Sequence, residues 1–501
     1  MSASALIRAA PEEACRPWPR RVLSRAAWSA MAGQLDAEPG LRLLALWADV
    51  GNVHALFLDE PRRTVLPVSS SVEDGSYAAL SPQRPLAAWF ERMVQDLWGH
   101  RAEGARDLRP WLDHGQWGGL YPMAANPLPM ASKPEPPEFL AAEGDDLHQV
   151  PVGPIHAGII EPGHFRFTAQ GETVVRLEAR LGYAHKGQLA LMQGKSPRVA
   201  ARFAARLSGD STVAHSIAFA RATEAALETE APPRAHALRA VMAELERIAN
   251  HLGDVGAICN DASFAFPLAR YGLHREMVLR ACAVAFGHRL MMDCVVPGGV
   301  AADIVPGGPE AILRVLRDIE ADLPQLTRIY ADEASLADRV VGTGAVDPEL
   351  VERFAAGGYV GRAAGRAFDA RRFPGYPPYR DLEFAVPVLV DGDVDARVRI
   401  RLAEIRESIR LVYFLFERLL EGAVSVPLLP GNSEGIGVAE GFRGDVWHWL
   451  RLEGGLIAAA FIRDPSWAQW PLVTDSIRGN IIADFPLCNK SFNCSYSGVD
   501  L

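Results

Sequence analysis

Cysteine is scarce in this chain. Cys15, Cys259, Cys282, Cys294, Cys488 and Cys494 are scattered over 501 residues, too few and too dispersed for a disulfide scaffold, so the sequence predicts a protein of a reducing cytoplasm. Long apolar runs are missing too. The best one, LRACAVAFGHRLMMDCVVPGGVAADIV, is broken by His288, Arg289 and Asp293, whereas a membrane span needs roughly 20 apolar residues in a row. The N-terminus carries Arg8, Glu12, Glu13, Arg16, Arg20 and Arg21 with no uninterrupted apolar stretch, which argues against a secretory signal. Excess positive charge is also absent. A net charge of −10 without a polybasic cluster removes the electrostatic basis for binding nucleic acid. No GxGxxG follows a strand, so no nicotinamide site is visible.

What is present fits a globular protein of two or three domains, with 49% hydrophobic and 22% charged residues. Residues 1–38 are rich in Ala and Arg and read as a poorly ordered leader. LRLLALWADVGNVHALFLD and TVLPVSSSV are apolar, β-branched and broken by Gly and Pro, the pattern of short strands. PLAAWFERMVQDLWGH (85–100) places Trp89, Met93, Val94 and Leu97 on one side of a helix. Residues 39–121 therefore read as a small α+β domain. Residues 122–150 turn Pro-rich and then acidic, a linker composition. From 151 a two- or three-stranded opening runs to 187, with turns at Pro162-Gly163 and Gln170-Gly171. Helices dominate afterwards, in 231–261, 270–292 and 396–422, before strand-like segments return over 434–472.

Polar residues cluster around RLSGDSTVAHS (206–216), where Ser208, Asp210 and Ser211 surround Gly209 just ahead of an apolar helical run. Two readings stand: a Ser/Asp cap on that helix, or the wall of a polar pocket. Glu244, Arg247 and His251 share a helix face at i, i+3 and i+7. They form either an intrahelical salt bridge beside a histidine or the wall of an internal cavity. GPIHAGIIEPGHFRF contributes His156, Glu161, His164 and Arg166, and GYAHKG contributes Tyr183, His185 and Lys186. Histidines titrate near neutrality and carboxylates relay protons.

GPIHAGIIEPGHFRF, GYAHKG, AHSIAFARATE and PPRAHALRAVMAELERIANHL, with GGYVGRAAGRAFDARRFPGYPPY, VAEGFRGDVWHWL, RDPSW and SFNCSYSGVDL, carry a resemblance. Together they resemble the large subunit of membrane-bound [NiFe] hydrogenases and the 49 kDa-type quinone-site core subunit of respiratory complex I. WFERMVQDLWGHRAEGARDLRPWLDHGQW resembles the 30 kDa-type complex I subunit, fused upstream. The resemblance implies an α+β fold, with a small N-terminal α/β domain before a mainly helical hydrogenase-like domain (151–501) carrying a small β-region at each end. It also implies a small iron–sulfur partner of the complex I 20 kDa type, antiporter-like membrane subunits, and a peripheral place on the inner face of the cell membrane. Quinone binding and electron transport come with it. NAD chemistry would belong to other subunits of such an NADH dehydrogenase-like assembly.

The departures from the family pattern are informative. Hydrogenase large subunits hold nickel and iron with two CxxC pairs, which the resemblance puts at 208/211 and 494/497. Here the residues are Ser208, Ser211, Cys494 and Ser497, and Cys488 restores no CxxC spacing. A serine hydroxyl is hardly ionised at pH 7 and is a poor ligand for a soft metal, so we expect no metal and no hydrogen chemistry. The positions that bind quinone in complex I fall on Pro162 and Gly209, which cannot donate a proton; a shift of one residue would substitute Glu161. The candidate cavity is therefore Glu161, His164, Tyr183, His185, Asp210 and His215, with Arg166, Glu244, Arg247 and His251 as its wall. No cofactor is expected in the chain itself, quinone is the ligand implied, and the iron–sulfur cluster sits in a partner. The alternative is a non-catalytic scaffold or assembly subunit of an antiporter-containing complex. If the first reading holds, 206–216 and 494–497 lie side by side.

Overall fold

The computed structural model describes residues 1–115, 117, 120–125, 139–144 and 146–501. Its first layer is a five-stranded sheet in the order Glu12–Glu13, Arg20–Leu23, Thr64–Ser71, Asn52–Asp59 and Leu41–Ala48. The last three strands pair antiparallel across short turns. Almost every residue of Leu41–Ala48 and Asn52–Asp59 is buried. The helix Ala87–Trp98 packs against this sheet through Phe90, Met93, Val94 and Leu97. Trp47 stacks on Phe461, 5.0 Å between ring centroids, so the N-terminal unit and the end of the chain share one core.

The poorly ordered leader expected over 1–38 is a correction. That segment forms the helices Ala3–Ala9 and Arg25–Gln34, each capped by a serine side chain (Ser2 and Ser24). Ala3, Ile7, Trp28, Met31 and Leu35 are buried. Cys15–Arg16 pairs in parallel with Ser433–Gly441, and Arg20 makes a forked ion pair with Glu434. The two helices are only 7 and 10 residues long and rich in Ala and Arg, too short for their few apolar positions to make an extended period. Part of the expected linker, 126–138 together with 145, lies outside the described residues. Its end is a strand, Leu147–Val152, which joins His164–Gln170 and Thr173–Arg180 in a three-stranded sheet.

The large unit is built on four long helices, Pro233–Asp261, Ala265–Phe286, Gly308–Asp332 and Val394–Glu417, packed side by side. The helix Thr212–Ala226 lies directly on the strand Ser433–Gly441. Glycine makes that approach possible: a Cβ on Gly435 or Gly437 would come within 2.0 or 2.1 Å of a helix carbonyl oxygen. Gly444–Glu453 and Leu456–Arg463 complete the sheet. The strand-like reading of 434–472 stops short, because Asp464 accepts from Ser466 N and starts the helix Ser466–Ser476. At the end of the helix Phe485–Phe492, Asn493 adopts a left-handed conformation (φ 45°) and turns Cys494–Ser497 back across the molecule.

Candidate functional site

The turn Gly209–Ser211 precedes the helix Thr212–Ala226. Ser211 does not cap that helix through its hydroxyl. Glu246, reaching over from the neighbouring helix, accepts from Val213 N (2.7 Å) and Ala214 N (3.1 Å) instead. Burial nevertheless pushes the Glu246 carboxyl up to about 8, outweighing the two amides. The Ser/Asp cap reading is corrected, and the hydroxyls are released for other contacts.

Ser208 Oγ donates to Asp210 at 2.6 Å. Arg443 donates to both Asp210 oxygens at 2.9 and 2.5 Å, to Ser211 Oγ at 2.9 Å, and to Asn493 O. Ser495 Oγ donates to Ser208 Oγ at 3.2 Å, and Ser497 N donates to Glu161 at 3.0 Å. The segments 206–211 and 494–497 are thus in direct contact. Between them and the loop 153–163 opens a cavity of about 610 Å³. Glu161, Ser208, Asp210, Cys494 and Ser497 line it, joined by Tyr496 and His156. Burial alone would raise Asp210, but the Arg443 guanidinium outweighs it and holds the carboxyl below its ordinary value. Burial drives the Cys494 thiol well above its ordinary value, so the sulfur stays protonated at neutral pH.

Other candidates lie elsewhere. His215 is fully buried behind the pocket: Nε2 donates to Asp464 (3.0 Å) and Nδ1 meets His448 Nε2 (3.1 Å). Burial alone would raise Asp464, but His215, Arg443 and Ser466 together outweigh it and hold the carboxyl down at about 2. His164 donates from Nδ1 to Gly153 O at 3.3 Å, and Arg166 lies over the Phe139 ring. Tyr183 packs on His114, and His185 Nδ1 donates to Asp500 O at 3.0 Å. None of these five lines the cavity; the four on 164–185 are tied up in side-chain and main-chain contacts that brace the strands and the chain end.

Glu244, Arg247 and His251 are a further correction, because their helix face points away from the cavity into a closed ionic cluster. Glu244 accepts from Arg371 (3.0 Å), Tyr379 (2.6 Å) and Ser408 (2.6 Å). His251 donates to Glu404 at 2.8 Å, and Arg362 bridges Glu404 and Glu440 at 2.9 and 3.0 Å. Their packing partners are the helix Val394–Glu417 and the segment 362–379.

Comparison with known proteins places this geometry. Residues 266–429 match the family described as respiratory-chain NADH dehydrogenase, 49 Kd subunit, and residues 186–253 match nickel-dependent hydrogenase. The chain is 28% identical to formate hydrogenlyase subunit 5 of Escherichia coli K12, over 85% of this chain and 77% of that protein. It is 27% identical to hydrogenase-4 component G of the same organism, over 89% and 80%. It is 30% identical to an NADH-quinone oxidoreductase subunit of Granulibacter bethesdensis, over 56% and 70%. The chain belongs to the [NiFe]-hydrogenase large subunit and complex I 49 kDa subunit family.

Members of this family include subunits of hydrogenase and complex I-type oxidoreductases, and among the described residues of this chain no helix is long and apolar enough to cross a membrane. The residues at its metal positions do not fit nickel and iron. They are one protonated thiol and three hydroxyls, Ser208 already donates to a carboxylate, and a guanidinium lies against Ser211 and Asp210. Soft metals need thiolates, and a cation beside the donors disfavours a second one. Sequence reasoning missed Arg443, Glu246, Tyr496, and Asp464 and His448 on either side of His215. Of these, Tyr496 could have been found, since it sits inside the Cys494–Ser497 segment already singled out.

Proposed function

We propose that this protein is the quinone-site subunit of a membrane-associated, complex I-like or hydrogenase-4-like oxidoreductase, passing electrons from an iron–sulfur partner towards quinone and doing no hydrogen chemistry. The observation that carries this reading is the cavity itself. Its volume of about 610 Å³ suits a small-molecule headgroup. Val152, Ile159, Ile160, Phe485 and Pro486 give it apolar walls, and Ser208, Asp210, Ser495 and Ser497 a polar floor. An amphipathic, uncharged ring with two carbonyls matches that division. Ile155 and Ile159, 86% and 100% exposed on the loop beside the cavity, suit burial against a partner of the iron–sulfur type. Antiporter-like subunits would complete the assembly on the inner face of the membrane.

The test is to titrate a quinone analogue into the purified complex while following the iron–sulfur signal of its partner subunit. Saturable binding that perturbs the signal, weakened by Asp210→Asn, supports the reading. Absence of binding, with electron transfer intact in Asp210→Asn, replaces it with the scaffold reading. Stoichiometric nickel in the same preparation overturns the loss of hydrogen chemistry.

A further inference from the structure

We infer that Tyr496 and His156 form the proton-delivering pair of this cavity, in place of the family positions that Pro162 and Gly209 have lost. The inference rests on the quinone reading above and names the residues that would make it work. Both side chains line the cavity. Tyr496 Oη lies 3.3 Å from His156 Nε2. His156 Nδ1 lies 3.2 Å from the carbonyl oxygen of Pro154, which can only accept, so Nδ1 carries a hydrogen and Nε2 is the nitrogen that faces the phenol oxygen and can pass a proton to it. Asn489 Nδ2 donates to the phenol oxygen at 3.4 Å. The Tyr496 ring is held by Trp470, 4.9 Å between centroids.

The loop that carries His156 is shaped around this ring. A Cβ on Gly163 would stand 2.6 Å from Tyr496 Cε1, and one on Gly153 would stand 2.2 Å from Gly163 O. Gly163 N donates to Pro154 O at 2.9 Å, closing the loop on itself. Asp210 and Glu161, which also line the cavity, are committed: Asp210 to Arg443 and Ser208, Glu161 to Ser497 N. Tyr496 is only 4% exposed, while His156 is half-buried at the cavity's edge and open to water.

Reduction of a quinone takes two electrons and two protons. The electrons come one at a time from the iron–sulfur centre of the partner. As charge builds on the inner quinone oxygen, the Tyr496 O–H bond breaks and its proton forms the new O–H bond on that oxygen. The phenolate is reprotonated by His156, which has taken a proton from solvent at Nε2. The outer oxygen takes its proton from water at the mouth. Tyr496 touches the substrate; His156 acts through it.

The experiment uses the assembled complex and a soluble short-chain ubiquinone analogue, with equilibrium binding measured separately from the reduction rate. Tyr496→Phe is expected to keep the dissociation constant within about threefold and to slow reduction by about 100-fold, the usual contribution of one positioned proton donor. His156→Ala is expected to slow it less, to regain rate when imidazole is added, and to add nothing in the double variant. Wild-type reduction rates in Tyr496→Phe, with binding intact, overturn the inference and leave the quinone reading standing. An imidazole-insensitive His156→Ala overturns the relay. A wild-type complex that binds no analogue overturns both readings together.

Discussion

Two polar regions of this protein both pair carboxylates with guanidiniums and differ in closure. In the cluster of Glu244, Arg247, His251, Arg362, Arg371, Glu404 and Glu440, carboxylates and guanidiniums meet one another at hydrogen-bond distance, and all seven are buried. In the pocket of Ser208, Asp210, Arg443 and Ser497, one ion pair braces a wall whose other face is open space. A buried charge is tolerable only when paired and hydrogen-bonded, so density of charge on a helix face reports satisfaction as readily as function. A site is marked instead by polar groups that face a cavity.

The sharpest way to break this comparison is to open the closed cluster. Glu404→Ala strands Arg362, Arg247 and His251 without their common partner. Removing one member of a buried ionic group costs about 3–5 kcal/mol, so the variant should unfold at much lower urea concentration or fail to accumulate. A midpoint equal to that of the wild type would mean the cluster is not closed in solution.

The next effect is a dependence on pH. Burial pushes the Asp500 carboxyl up to about 7, despite amide donors at Gly182 and Ala184. An unfolded aspartate titrates near about 3.9. The folded state therefore binds the extra proton between these values, and its contribution to stability is complete below the lower one and lost as pH rises through about 7. Between pH 5 and 7 the loss approaches roughly 2 kcal/mol. Asp500→Asn should flatten that part of the stability profile, measured by thermal unfolding across the range; an unchanged slope would assign it to other groups.

How much of this was legible in the sequence follows from the range of each interaction. The strands Leu41–Ala48, Asn52–Asp59 and Thr64–Ser71 announce themselves by apolar runs broken by Gly and Pro, and the long helices by their apolar period, both of them local signals. The contact of 208–211 with 494–497 followed from the placing of two CxxC positions. The closed cluster was out of reach: Glu244, Arg247 and His251 show their spacing, but Glu404, Arg362 and Arg371 come from segments more than 100 residues away in sequence. Nothing local says which way that helix face turns. Glu246 as a cap was illegible for the same reason, since its partner amides lie 33 and 32 residues earlier. The order of residues 1–38 was hidden because alanine-rich helices gain their stability from packing rather than from a visible stripe.

The smallest effect is the most direct comparison of the two regions, because it uses one chemical change twice. Ser208 donates to Asp210 and Ser408 donates to Glu244, each at 2.6 Å. Removing either hydroxyl takes one bond from a carboxylate. In Ser208→Ala the cavity lets water replace the donor, and Arg443 still holds both Asp210 oxygens, so the cost should stay below about 1 kcal/mol. In Ser408→Ala no water reaches Glu244, which is 0% exposed, and a hydrogen bond to a buried charge is worth about 1.5–3 kcal/mol. Urea unfolding of the two alanine variants side by side reads the difference. Equal losses would show that the pocket floor is as dry as the cluster, and a floor without water could neither admit a headgroup nor feed protons to Tyr496.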